Sequence, residues 1–174
     1  SSLTDIREEE RDSRGLGDIG LALVDSWQAE TKPASMLSWP LPKLNELMGY
    51  LTDEFVFIAA KESVGKTAFA LNIITSLAHA GIQSSLASLE STKTKVVQRL
   101  IAIIGQVNTV SLRNKTALES SYASAREAAK KLDAMPIRIS DTPATVDQLL
   151  AWAKCEKKAG SKILVIDNMR HIRP

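Results

Sequence analysis

A short loop with the residues Gly65-Lys66-Thr67 carries the clearest chemistry in this sequence. Residues 55–58 before it are β-branched or aromatic and predict a strand, and the apolar residues 68–80 after it predict a helix. A strand, a glycine-containing loop and a helix in this order form the phosphate-binding Walker A motif, because the loop N–H groups and the positive helix end both face an anion. We therefore predict a site for a nucleoside triphosphate; the alternative is a Gly-Lys-Thr sequence that only opens a helix.

Six neighbouring residues are predicted to contact the nucleotide. They are Ser63, Val64, Gly65, Lys66, Thr67 and Ala68. The Lys66 ammonium would reach the outer phosphates and assist catalysis, and the Thr67 hydroxyl would ligate Mg²⁺. Ala60 replaces the first glycine of the motif, and since alanine tolerates positive φ poorly, we expect an ordinary backbone conformation there.

Two acidic residues follow apolar strands and are the next chemical candidates. Asp167 ends the apolar segment 163–167, about 100 residues after the loop, in the Walker B pattern, and its carboxylate could hold Mg²⁺ opposite Thr67. Glu90 ends the strand-like segment 84–90; parallel strands end at one edge of a sheet, so Glu90 could activate the attacking water. Alternatively, Glu90 is a carboxylate at the start of the next helix, where the helix dipole favours it.

The elements that must position these residues alternate along the chain. Strand-like segments occupy residues 84–90, 136–140 and 162–167, and helix-like segments occupy residues 92–104, 117–134 and 146–160. Thr145 can cap the last of these helices, and Gly49, Gly81 and Gly160 can end helices. The alternation predicts an α/β fold with a mostly parallel sheet flanked by helices.

Composition limits the remaining possibilities. The 174 residues are 44% hydrophobic and 24% charged, which fits one ordinary domain, and a net charge of +2 is too small to indicate nucleic-acid binding by itself. Cys155 is the only cysteine, and His79 and His171 show no metal-ligand spacing, so nothing suggests zinc. No apolar run reaches the roughly 18 residues that a membrane span needs, so we expect no membrane partner and a cytoplasmic location.

We expect two parts in the chain. Residues 1–37 would form a flexible, charged start and a linker helix at about residues 18–30, and residues 38–174 would form the core domain. The turn-prone residues 31–35 separate the helix from the body. The helix therefore either packs on something other than its own domain or covers the core in the ordinary way.

Several segments together resemble the ATPase domain of DnaB-type replicative helicases. In order and spacing these are KESVGKTAFALNI, SLASLESTKTKVVQRL, the pair Leu112-Arg113, PIRISDTPATVDQL and ILVIDNM, with LPKLNELMGYL leading in, and they cover about residues 38–172. The resemblance implies a RecA-like P-loop NTPase fold, a homo-hexameric ring of sister subunits, and ATP hydrolysis with Mg²⁺ that drives 5′-to-3′ translocation on single-stranded DNA and duplex unwinding. It also implies a primase or a helicase loader as a further partner.

The resemblance also implies roles for single residues. Lys66 and Thr67 would bind the nucleotide and Mg²⁺, Glu90 would be the catalytic base, and Asp167 would be the Walker B acid. Residues 18–30 resemble the helix that docks onto the neighbouring subunit in such rings.

Two residues depart from the family pattern. Arg170 stands three residues after Asp167, where family members usually have a glutamine that senses the γ-phosphate, and Asn168 stands where they usually have an aromatic residue. We expect Arg170 either to face the phosphates as part of the nucleotide site or to belong to the basic surface of residues 151–174, pointing to solvent or to a carboxylate.

The sequence ends at Pro174, before the family's next strand, which lies between the P-loop strand and the Walker B strand. We therefore expect a sheet that is truncated after the Walker B strand and that belongs to a longer polypeptide rather than to a degenerate domain. Two alternative functions remain open: a RecA-like recombinase or ring ATPase that does not unwind DNA, and a catalytically weak protein that binds and modulates a helicase.

Overall fold

The computed structural model describes residues 15–28, 37–51, 55–143 and 145–173. The flexible, charged start that we predict before the linker helix lies almost entirely outside these ranges. The α-helices run over Leu16–Gln28 (α1), Pro42–Met48 (α2), Lys66–His79 (α3), Lys93–Gly105 (α4), Thr109–Arg113 (α5), Glu119–Ala134 (α6) and Val146–Lys158 (α7). The strands run over Ser84–Ser88 (β1), Ile137–Ser140 (β2) and Ile163–Asp167 (β3), and a 3₁₀ helix follows at Met169–His171 (η1).

The described strands form one parallel sheet in the order β2-β1-β3. β1 lies in the middle, and every one of its residues is buried. Its register pairs Ser84 with Ile137 of β2, and Ser88 with Asp167 at the end of β3. The predicted α/β fold with a parallel sheet is confirmed, and the register brings the ends of β1 and β3 together.

Helix α3 packs against two groups of buried apolar side chains. The larger group joins α3 to β1 and α4 and consists of Leu71, Ile74, Leu86, Val96 and Leu100. The second group lies around Trp39, with Ile73 and Leu77 of α3. Both groups hold α3, and with it Lys66 and Thr67 at its start, against the sheet.

The strand predicted for residues 55–58 is not formed, so that prediction is wrong. Phe55 is 79% exposed and Phe57 is 66% exposed, and no ladder includes them. Aromatic and β-branched residues favour a strand only where a backbone partner and a packing surface exist. No strand within the described ranges pairs with these residues or with the outer edge of β3, where Leu164 is exposed.

The predicted helix ends are confirmed. The Thr145 Oγ1 accepts a hydrogen bond from the Gln148 N–H at 3.3 Å, and the Gln148 Oε1 accepts one from the Thr145 N–H at 3.3 Å, which makes a capping box at the start of α7. Gly49, Gly81 and Gly160 follow helices with positive φ. Helix α5 is absent from the predicted elements, because its short span carries too few residues to show helical periodicity.

A buried carboxylate joins α7 to the sheet. Glu156 is 7% exposed; the Arg138 Nε on β2 donates to its Oε2 at 2.5 Å, and the Ser85 Oγ on β1 donates to the same oxygen at 2.7 Å. Burial is the largest single influence and acts to raise the pKa of Glu156. The hydrogen bonds from Arg138 and Ser85, with the charge of Arg138, together outweigh it and lower the pKa below the ordinary value of 4.5.

Helix α1 covers residues 18–28 of the helix predicted near residues 18–30, and residues 29 and 30 lie outside the described ranges. Four of its large apolar side chains are exposed. The exposed side chains are Leu16, Leu21, Leu23 and Val24. Their exposure disfavours the alternative in which this helix covers the core. Within the described ranges, no helix combines the length and the apolar character that crossing a membrane requires.

Candidate nucleotide-binding site

The loop before α3 has the backbone geometry of a phosphate cradle. Gly65 precedes the helix with a φ of 99°, in the left-handed region that favours glycine, and Ser63 has a φ of 63°. No side chain caps the start of α3, so the N–H groups of its first turn are available to donate hydrogen bonds to a bound anion. Ala60 is not among the described residues with positive φ, in agreement with the expectation from its side chain.

Lys66 is held by the backbone of its own loop. Its Nζ donates to the Ala60 carbonyl oxygen at 2.9 Å and to the Lys61 carbonyl oxygen at 2.8 Å. An ammonium group carries three N–H donors, so this arrangement fixes the side chain and keeps one donor for a phosphate oxygen.

Thr67 and Asp167 meet although they are 100 residues apart. The Thr67 Oγ1 donates to the Asp167 Oδ2 at 2.7 Å, and Asp167 is 7% exposed. Thr67 stands at the start of α3, and Asp167 ends β3, so two separate elements position the pair. The two residues that were predicted to share Mg²⁺ therefore lie in direct contact.

This pair of oxygen ligands fits Mg²⁺. In phosphate sites Mg²⁺ is held by one or two protein oxygens, and waters and substrate phosphates complete its coordination. Within the described ranges, no group of three or more His, Cys, Asp and Glu residues could hold a metal. A hydroxyl beside one carboxylate therefore suits a metal that arrives with a nucleotide, not an all-protein cage.

Glu90 lies at the same edge, two residues beyond the end of β1. The Asn168 Nδ2 donates to the Glu90 Oε2 at 2.6 Å, and the Asn168 Oδ1 accepts from the Arg170 N–H at 3.0 Å. A backbone N–H can only donate, so the orientation of the Asn168 amide is fixed. Asn168 thus presents an N–H group to the Glu90 carboxylate.

The start of α4 argues against the alternative role of Glu90. The Lys93 N–H at this helix start donates to the Asp141 Oδ2 at 2.8 Å, across from the end of β2. Asp141 therefore supplies the carboxylate at the helix N-terminus, while the described contact of Glu90 is with Asn168.

Arg170 reaches back to the phosphate loop. Its Nη1 lies 2.7 Å from the Glu62 Oε1, and both side chains are largely exposed. The expected contact with a carboxylate is therefore present, but the carboxylate belongs to the loop that would hold the phosphates.

All but one of the predicted site residues line one cleft. They are Ser63, Gly65, Lys66, Thr67, Ala68, Glu90, Asp167 and Arg170. Val64 does not line the cleft, and the residue is 63% exposed. The cleft, of about 1690 Å³, exceeds common ligand pockets because it continues along the outer edge of β3 towards Phe55.

Two site residues escaped the sequence prediction. Asn168 stood out only as a departure from a family pattern, and its contact with Glu90 depends on the β1–β3 register. The sequence around Glu62 does not indicate a role in the site, because its partner Arg170 lies 108 residues away.

Residues 38–174 match the family described as "DnaB-like helicase C terminal domain". This span includes the loop, Glu90, Asp167 and most of the remaining chain. The chain belongs to the DnaB-like helicase C-terminal domain family.

The chain is similar to several proteins named replicative DNA helicases. The "Replicative DNA helicase DnaB" of Nostoc sp. (strain PCC 7120 / SAG 25.82 / UTEX 2576) is 29% identical over 173 residues, which cover 93% of this chain and 20% of that protein. The "Replicative DNA helicase DnaC" of Bacillus subtilis (strain 168) is 32% identical over 130 residues, which cover 72% of this chain and 28% of that protein. The DnaB of Rickettsia typhi (strain ATCC VR-144 / Wilmington) is 25% identical over 193 residues, covering 99% of this chain and 39% of that protein. The chain thus spans between 20% and 39% of the length of these relatives.

Solved structures share the fold of this DnaB-like domain. "ATPase Domain of G40P" superposes with a TM-score of 0.72 at 23% identity and covers 94% of this chain and 60% of that chain. "The Structure Of A DnaB-Like Replicative Helicase And Its Interactions With Primase" superposes with a TM-score of 0.81 at 23% identity, covering 94% of this chain and 41% of that chain. The prediction of a RecA-like ATPase fold is confirmed.

Proposed function

We propose that this chain is the ATPase portion of a replicative DNA helicase, which binds ATP with Mg²⁺ and couples hydrolysis to translocation on single-stranded DNA and duplex unwinding. The contact between Thr67 and Asp167, in the cleft that also contains Lys66 and Glu90, carries the proposal. Residues from three separate parts of the sequence meet where phosphoryl transfer needs a phosphate cradle, a metal position and a base. Membership of the DnaB-like family supports the same function.

The residues of the cleft would divide the chemistry among them. The backbone of residues 63–68 would hold the phosphates, and Lys66 would neutralise charge on the outer ones. Mg²⁺, held by Thr67 and Asp167, would supply further neutralisation of the phosphate charge. Glu90 would accept a proton from the attacking water, and the Asn168 amide would hold the Glu90 carboxylate in place.

A lysine substitution tests nucleotide binding. Lys66→Ala removes the charge-assisted contact to phosphate, so we expect ATP affinity to fall by about 100-fold or more. Titration calorimetry with ATP and Mg²⁺ measures the change. The matched control is Lys61→Ala, which removes a lysine from the same loop but keeps the carbonyl that contacts Lys66. Equal ATP affinity in Lys66→Ala and the unsubstituted protein would rule out the phosphate-loop assignment.

Assembly and partners belong to the same proposal. Residues 38–174 would form the ATPase core, and residues 1–37 would form the segment that links it to a neighbouring copy in a ring of six. The exposed apolar residues of α1 support such docking. Single-stranded DNA would be bound through its backbone without sequence preference. A structurally similar protein is described together with its interactions with primase, and we propose a primase or a helicase loader as a further partner.

A further inference from the structure

The phosphate loop contains a carboxylate of its own. Glu62 lies three residues before Gly65, and together with Lys66 and Thr67 it lines the cleft. A negative charge at this place repels a nucleoside triphosphate, which carries several negative charges. The other carboxylates of the cleft lie against neutral groups, Asp167 against the Thr67 hydroxyl and Glu90 against the Asn168 amide. Glu62 lies against a guanidinium.

We propose that Arg170 is a positioning residue that masks the Glu62 carboxylate and so keeps the phosphate loop receptive to a triphosphate. The inference rests on the proposed nucleotide-binding function of this loop. The ion pair of 2.7 Å connects the loop to η1, which directly follows the Walker B strand β3. The Asn168 Oδ1 holds the Arg170 N–H at 3.0 Å, so the base of the arginine is fixed at the edge where Glu90 also lies.

The ion pair between Glu62 and Arg170 contributes little to the stability of the folded protein. The Arg170 side chain is 76% exposed and the Glu62 side chain is 81% exposed, and ion pairs in water add little to stability. The pair can nevertheless affect nucleotide binding, because without Arg170 the Glu62 carboxylate would stand unpaired in the loop and repel the phosphates. Its effect should therefore appear in nucleotide affinity and in the dependence of affinity on salt, with no change in the thermal midpoint of unfolding.

Masking of Glu62 and direct binding of phosphate by Arg170 predict different effects of removing Arg170, because only masking requires the Glu62 carboxylate. If Arg170 masks Glu62, removal of Arg170 is harmful only while the carboxylate is present. If Arg170 binds the γ-phosphate itself, its removal is harmful whether or not Glu62 is charged. A double-mutant cycle separates the two cases, because it measures whether the two substitutions are additive.

The experiment measures the Kd of ATP and of ADP, with Mg²⁺, for the unsubstituted protein, Arg170→Gln, Glu62→Gln and the double variant. We expect Arg170→Gln to weaken ATP about tenfold and ADP less, since ATP carries more charge, and high salt should shrink this loss. Glu62→Gln should bind ATP at least as tightly as the unsubstituted protein. The double variant should return to within about threefold of the unsubstituted affinity, the loss from Arg170→Gln being recovered.

Each other outcome overturns the inference. A double variant as weak as Arg170→Gln would make Arg170 a direct phosphate ligand, and unchanged ATP affinity in Arg170→Gln would make the pair a surface contact only. Lys66→Ala is measured in the same series. If the unsubstituted protein binds no better than Lys66→Ala, the proposed nucleotide site itself fails. If Lys66→Ala loses affinity while Arg170→Gln does not, only the masking role fails.

Discussion

The Glu90 carboxylate accepts a hydrogen bond from the Asn168 amide. The nature of this partner bears on whether Glu90 has a catalytic or a structural role. A neutral amide can orient a carboxylate without holding it in an ion pair, so the carboxylate stays available to accept a proton from water. This contact is made by one carboxylate oxygen, Oε2, and Glu90 also lines the cleft. This arrangement suits the role of general base that we propose for Glu90.

We predict that Glu90→Gln lowers the ATP turnover rate by about 100-fold or more and leaves ATP affinity nearly unchanged. Glutamine keeps the shape of the side chain but cannot take a proton. Steady-state phosphate release gives the rate, and calorimetry gives the affinity. Glu119→Gln, an exposed carboxylate on α6, serves as the control and should change neither quantity. Loss of affinity at unchanged turnover would show that Glu90 is structural.

At the scale of elements, Glu156 ties α7 to β1 and β2 through Arg138 and Ser85. Its pKa in the folded protein lies below the ordinary 4.5, so the folded state binds the proton less readily than the unfolded chain. The stability it contributes is therefore complete above the unfolded pKa and is lost as the pH falls through the folded pKa. Acid should thus loosen the attachment of α7 to the sheet.

We predict that Glu156→Gln lowers the free energy of unfolding at about pH 7 by about 1–3 kcal/mol, and that this difference narrows as the pH falls from about 5 to about 3. Urea unfolding over this pH range measures the effect. Ser84→Ala is a matched control on β1, next to Ser85, because the buried Ser84 Oγ has no hydrogen-bond partner within the described residues and does not titrate. Ser84→Ala should keep the pH dependence of the unsubstituted protein. A difference that stays constant with pH would contradict the role of Glu156.

The elements could be predicted wherever their signal was local. Thr145 and Gln148 are three residues apart, so the capping box that starts α7 is visible in the sequence. The strand prediction for residues 55–58 failed because strand formation depends on a pairing partner elsewhere in the fold. The contact between Thr67 and Asp167 followed from a motif with known spacing, whereas the pair of Glu62 and Arg170 depends on how two loops lie after folding.

For the whole molecule, α1 is the helix that leaves four large apolar side chains exposed, Leu16, Leu21, Leu23 and Val24. Its leucines and valine are exposed, and burying one such side chain typically contributes about 1.5–3 kcal/mol. In the proposed ring, these side chains would lie against a neighbouring copy.

We therefore predict that Leu21→Glu weakens self-association by about tenfold or more, because it places a charge in the apolar contact. Light scattering after size-exclusion chromatography, over a range of concentrations, measures the assembly. Ser26→Glu adds the same charge to the same helix at a residue that is already polar and should change association less. Identical assembly of both variants would contradict docking through α1.

The bonds of Lys66 to the Ala60 and Lys61 carbonyls also have a consequence for entropy. Fixing a free lysine side chain costs up to about 2 kcal/mol of rotamer entropy. In this protein most of that loss occurs when the chain folds, because the loop already holds the ammonium group in place. If this loop binds a triphosphate as we propose, the nucleotide would meet a side chain that is already ordered, and its affinity would not be reduced by that loss of entropy. The rotamer entropy that Lys66 loses on folding instead lowers the stability of the folded domain slightly.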